Sequence, residues 1–126
     1  MSIELLKERT QNLALRIIKL VESLPNTQTA RIFGKQLLRC GTSVGANYRA
    51  ACRGRSRADF ISKLGIVEEE ADEAIYWIEI LIKSDLVKQS KVENLLDETR
   101  QILAIVISSI NTARGGKREE KEKIIK

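Results

Sequence analysis

The chain reads as four amphipathic segments separated by short polar breaks. In the first, Leu6, Thr10, Leu13, Ile17, Val21 and Leu24 recur at three- and four-residue spacing, the period of one helical face. Ser2 is placed to cap this helix and Glu4 sits in its first turn, so a helix is predicted from Ile3 to Leu24, stopped by Pro25. "NTQT", Asn26 to Thr29, is a loop rich in capping residues. A second helix follows to about Arg53, with Phe33, Leu37, Cys40, Val44, Asn47, Tyr48 and Ala51 on its apolar side. Gly54 ends it as glycine usually ends a helix. Ser56 with Asp59 three residues later forms a capping box for a third helix. There Phe60, Leu64, Val67, Ala71, Ala74, Ile78 and Leu81 alternate steps of four and three, a heptad seam. Ser90 with Glu93 repeats the capping signature. The fourth helix then turns Val92, Leu95, Leu96, Thr99, Ile102, Leu103, Val106 and Ile110 inward and ends before Gly115 and Gly116.

Connections this short make neighbouring helices antiparallel. The expected fold is all-α, an antiparallel up-down-up-down four-helix bundle over residues 1–114. The remaining residues, 115–126, are nearly all charged and are expected to form a frayed or disordered tail. One proline and seven glycines in 126 residues agree with long uninterrupted elements, and 43% apolar content suffices for one core.

No apolar run approaches the ~20 residues of a membrane span, and "MSIELLKERT" lacks the pattern of a secretory leader. A soluble, cytoplasmic protein is expected. Cys40 and Cys52 on one helix stand ~18 Å apart along its axis, beyond the ~7 Å that a disulfide tolerates. With no histidine in the chain, a zinc site is not expected either, and no metal or other cofactor is called for.

Charge carries the strongest functional signal. On a helical wheel Arg31, Lys35, Arg39, Arg49 and Arg53 fall within roughly 80° of one another, opposite the apolar stripe, over ~33 Å of helix. Arg55 and Arg57 carry the patch into the next helix. From Arg31 to Lys63 eight basic residues meet one acid, Asp59. Such a row can follow a nucleic-acid backbone, because each cation that neutralises a phosphate releases a counterion. It can equally be a solvated face, a surface that pairs with acids on a neighbouring subunit, or a small-anion site. No aromatic residues interleave with it to stack bases, so recognition by charge and shape is the expected mode.

The third helix has the opposite sign, with seven acids against Lys83 between Glu68 and Asp85. Its carboxylates lie beside or behind the core seam, which argues against a metal site of the helical carboxylate type. Charge complementarity between subunits, basic face on acidic flank, is the better reading, and such a head-to-tail contact can close a ring.

Gly34, Gly41 and Gly45 share one strip of the second helix with Cys52. Each mid-helix glycine costs ~1 kcal/mol relative to alanine, so a compensating close approach of another helix is expected, within the bundle or across an assembly. Asn47 is expected to satisfy a buried backbone group or set packing register, and Trp77 to lie in the core or an interface. Ser43 has no histidine or lysine arranged to activate it, and no phosphate-binding glycine loop is present. No catalytic residue can be nominated; the chain does not read as an enzyme.

The stretch "TSVGANYRAACRGRSRADFISKLGIVEEEADEAIYWIEIL" resembles the 23S rRNA intervening-sequence protein family, and the resemblance extends roughly from Phe33 to Arg114. Its most specific part is Ser43, Val44, Gly45, Ala46 and Asn47, with Arg57 and Phe60 behind. The resemblance implies a four-helix bundle that assembles as a ring-shaped homopentamer and has no catalytic activity. A related protein is the accessory subunit of diversity-generating retroelements, which works with a reverse transcriptase and its RNA. The commonest family form runs Ser-Ile-Pro-Ala-Asn-Ile-Ala-Glu-Gly. Here Gly45 stands at the proline, Ala50 at the glutamate and Ala51 at the final glycine, so no role of that glutamate carries over. The expected function is a non-catalytic oligomeric scaffold for structured nucleic acid, RNA before DNA. The alternative is a protein-interaction adaptor, for example an accessory subunit of a retroelement reverse transcriptase.

Overall fold

The computed structural model describes the backbone of residues 1–125 and the side chains of residues 1–115. Four helices follow in order: α1 (Ile3–Glu22), α2 (Gln28–Ala51), α3 (Arg57–Lys83) and α4 (Gln89–Ile125). They form the up-down four-helix bundle that the periodicity predicts. Packing runs α1 on α2, α2 on α3 and α3 on α4, and the ring of helices closes by a thinner contact between α4 and α1.

Each of the first three helices begins at a hydroxyl cap that satisfies an orphan N–H. Ser2 Oγ accepts from the N–H of Leu5 (3.1 Å), Thr27 Oγ1 from Ala30 (3.2 Å) and Ser56 Oγ from Asp59 (3.1 Å). The capping box at α3 is altered in one respect. Asp59 Oδ2 accepts from the N–H of Arg55 (3.1 Å) and also pairs with Lys63 Nζ (3.0 Å).

Four boundaries differ from expectation. α1 ends at Glu22, before Leu24, with Ser23 as its C-cap, because Pro25 bars helical geometry at the residue before it. α2 ends at Ala51 rather than Arg53. Gly54 donates to the carbonyl of Ala51 (2.9 Å) without entering the left-handed region, and a Cβ there would stand 3.1 Å from Phe60 N. The glycine serves close approach rather than a left-handed cap. α4 starts at Gln89, so Ser90 lies inside its first turn and does not cap it. At Gly115 (φ 12°, ψ −106°) α4 is kinked, where the sequence placed the end of the bundle. The expectation of a frayed or disordered tail falls on residues whose side chains lie outside the described residues.

The third-helix seam from Leu64 to Leu81 is fully buried against Leu13, Ile17, Leu37, Val44, Ile102 and Val106. Two threonines enter this core and satisfy themselves locally. Thr10 donates to the carbonyl of Lys7 (3.0 Å) and Thr99 to that of Leu95 (2.8 Å).

Candidate nucleic-acid interface

The glycine strip of α2 faces α1. A methyl group at Gly41 would collide with Cδ1 of the fully buried Ile17 and lie 3.2 Å from its Cγ2. At Gly45 it would stand 3.3 Å from the backbone carbon of Thr10, and at Gly34 3.2 Å from Leu24 and Val21. The absent side chains bring α1 and α2 together and fix how α2 is rotated. That rotation sends the cations outward.

Arg31, Lys35, Arg39, Arg49 and Arg53 are all exposed on α2, as are Arg55 and Arg57 at the turn into α3. The fold divides them. Arg39 reaches across to α3 and pairs with Glu70 (3.4 Å) and Glu73. Arg31 donates to Asn26 Oδ1 (2.8 Å). The side chains of Lys35, Arg49, Arg53, Arg55 and Arg57 form no ion pair among the described residues. Four of these five cluster at one end of the bundle, between the C-terminus of α2 and the start of α3.

At that end an open groove of about 820 Å³ separates α1 from α2. Gly45, Ala46 and Ala14 keep its floor shallow, Arg49 and Arg53 form one wall, and Glu4, Lys7 and Glu8 of α1 form the other. The α1 wall is not visible from the composition of α2 alone. The signal was present, since Glu4, Lys7 and Glu8 lie within two helical turns before Thr10, the residue that Gly45 touches. Arg9 too has a role that no local pattern shows. It bridges α1 to α4 through Glu98 (Nε to Oε2, 3.0 Å) and Gln101 (3.1 Å), and the hydrogen bond to Glu98 holds its guanidinium above its ordinary pKa. This clamp sits where the bundle closes most thinly.

Asn47 is half-buried and donates to the carbonyl of Ser43 (2.8 Å), one turn back on its own helix. Trp77 is half-buried between α3 and α2, with its ring centroid 5.4 Å from that of Phe33. Its Nε1 donates to Glu73 (3.1 Å), the same carboxylate that pairs with Arg39. An aromatic and ionic knot therefore ties the N-terminal half of α2 to α3. Of the other acids, Glu79 pairs with Arg100 (3.6 Å), while Glu68, Glu69 and Asp72 form no ion pair among the described residues. No cluster of three or more metal-ligating side chains occurs among those residues.

Both cysteines are free. Burial, with help from Glu73, pushes the Cys40 thiol up to about 12, so it stays protonated and unreactive at neutral pH. Burial likewise raises the Tyr48 hydroxyl. The end of the bundle offers fixed positive charge, hydrogen-bond donors and a groove. No helix among the described residues is long and apolar enough to cross a membrane.

Comparison with known proteins agrees with this geometry at the level of fold and family. A search of curated proteins finds no match. Among solved structures, one of a protein of unknown function from the S23 ribosomal protein family of Bacteroides thetaiotaomicron VPI-5482 superposes with a TM-score of 0.82. It is 39% identical, and the match covers 88% of this chain and 99% of that one. The family model described as 23S rRNA-intervening sequence protein matches residues 5–108. Together with an all-helical fold, this is consistent with a non-catalytic accessory protein. The chain belongs to the 23S rRNA-intervening sequence protein family.

Proposed function

We propose that this protein is a homo-oligomeric scaffold for structured nucleic acid, RNA before DNA, working in the cytoplasm. On this reading the contact is made by Arg49, Arg53, Arg55 and Arg57. The observation that carries it is that their side chains form no ion pair among the described residues, while Arg39 on the same stripe is held by two glutamates. Arginines suit phosphates because the planar guanidinium donates two parallel hydrogen bonds. The absence of aromatics beside them favours a duplex or folded backbone over splayed bases. Assembly multiplies the corner, and the pentameric ring implied by the resemblance would present five copies of it.

The test is fluorescence anisotropy of a labelled RNA hairpin at ~50 and ~200 mM salt. Binding weakens steeply with salt, and reversing Arg49, Arg53 and Arg55 to glutamate abolishes it while leaving assembly intact. Absence of binding at the lower salt overturns the reading.

A second reading, a protein adaptor such as the accessory subunit of a reverse transcriptase, draws on Ile32 and Tyr76, apolar side chains at least half exposed. Partner affinity that survives the arginine reversals would favour it.

A further inference from the structure

Helix α3 is apolar on two faces. Besides its buried seam, Ile66, Glu69, Glu73, Tyr76 and Ile80 follow one another in steps of three and four along the outer side. Ile66 and Tyr76 are 42% and 54% exposed, and Ile80 is half-buried. A helix apolar on opposite sides has its second face covered in the working state. Acids lie within and beside this stripe: Glu73 is held by Arg39 of its own chain, while Glu69 and Asp72 are exposed and form no ion pair among the described residues.

The neighbouring helix carries the complementary surface. At the N-terminal half of α2, Ile32 is 50% exposed between Arg31 and Lys35, two cations that no carboxylate neutralises among the described residues. One face is apolar with negative flanks and the other apolar with positive flanks. We infer that the Arg31–Ile32–Lys35 face of α2 docks on the Ile66–Tyr76 stripe of α3 in a second copy of this chain. This inference rests on the reading that the protein self-assembles and names the surfaces that do it.

Geometry favours closure. α2 and α3 are adjacent corners of the bundle, so faces pointing outward from them diverge by roughly a right angle. A head-to-tail contact between such faces turns with each added copy, and it makes a ring where that rotation closes. The contact also leaves the Arg49–Arg57 corner open, at the far end of α2.

The test is the mass in solution of the full chain and its charge-reversed variants, by light scattering behind gel filtration. Wild type runs as an oligomer of the 14.2 kDa chain. Arg31→Glu with Lys35→Glu, and separately Glu69→Lys with Asp72→Lys, each fall to monomer. The four changes together restore the oligomer because the sign of the contact is merely inverted. All four positions are exposed, so helix content by circular dichroism stays at the wild-type level. If both double variants keep the wild-type mass, assembly uses another surface and this assignment is overturned. If wild type itself is monomeric at every concentration, the assembly reading fails and the assignment with it.

Discussion

The two long sides of α2 obey different rules. The side facing α1 is uncharged and tight, and its glycines are defined by what they lack: a Cβ at Gly41 or Gly45 meets Ile17 or Thr10. The outward side is charged and open, and nothing in the core depends on most of it. One helix therefore separates a packing face from a charged, open face by rotation alone. Arg39 is the exception, since it points outward yet is tied into α3 through Glu70 and Glu73.

The sharpest break of that division is Gly41→Leu. An isobutyl group has no space against Ile17, whose side chain is fully buried, so overpacking costs about 3 kcal/mol and lowers Tm by roughly 10 °C. A thermal melt at the wild-type temperature would show that α1 and α2 do not approach as described. On the other side, Arg53→Glu is expected to weaken binding of an RNA hairpin about tenfold at low salt, equivalent to ~1.4 kcal/mol. Its Tm stays at the wild-type value, because the side chain touches no acid among the described residues. A lowered Tm with unchanged RNA affinity would place Arg53 on the structural side.

The bundle was legible in the sequence because helical period, short loops and hydroxyl caps all point the same way. The errors fell where several residues compete for one role. Ser90 has the composition of a cap, but the chain enters helical geometry one residue earlier, at Gln89. The site was legible only in part. A row of cations at helical spacing is visible in one dimension, but their neutralisation is decided by residues far along the chain. Arg39 finds its carboxylates 31 and 34 residues away, and Arg9 finds Glu98 across 89. No local pattern encodes those pairings. The outer stripe of α3 was hidden for another reason: Glu69 and Glu73 interrupt its apolar residues, so the eye counts acids there rather than periodicity.

Arg39→Ala sharpens the exception. The guanidinium is half exposed, so solvent screens its pairs, but Glu70 is mostly covered and loses its partner. A loss of about 1 kcal/mol is expected, with RNA affinity unchanged. Equal stability and weaker RNA binding would return Arg39 to the binding surface.

The smallest effect belongs to Asp59, the one acid among the cations between Arg31 and Lys63. Its carboxylate is held below its ordinary pKa, first by the hydrogen bond from Lys63 and then by the N–H of Arg55. A depressed folded-state value means that the ionised form supports the α2–α3 turn. The contribution is complete above the unfolded value of about 4 and disappears as pH falls through the lower folded value. Asp59→Asn should therefore melt slightly below wild type at neutral pH and converge with it in acid. The same change releases Lys63 and removes the one acid between Arg31 and Lys63, so RNA affinity should rise, by less than about threefold. Identical melts at neutral pH would show that the Ser56 cap holds the turn without the carboxylate. A fall in RNA affinity would show that the corner depends on the shape that Asp59 imposes on Arg55 rather than on charge alone.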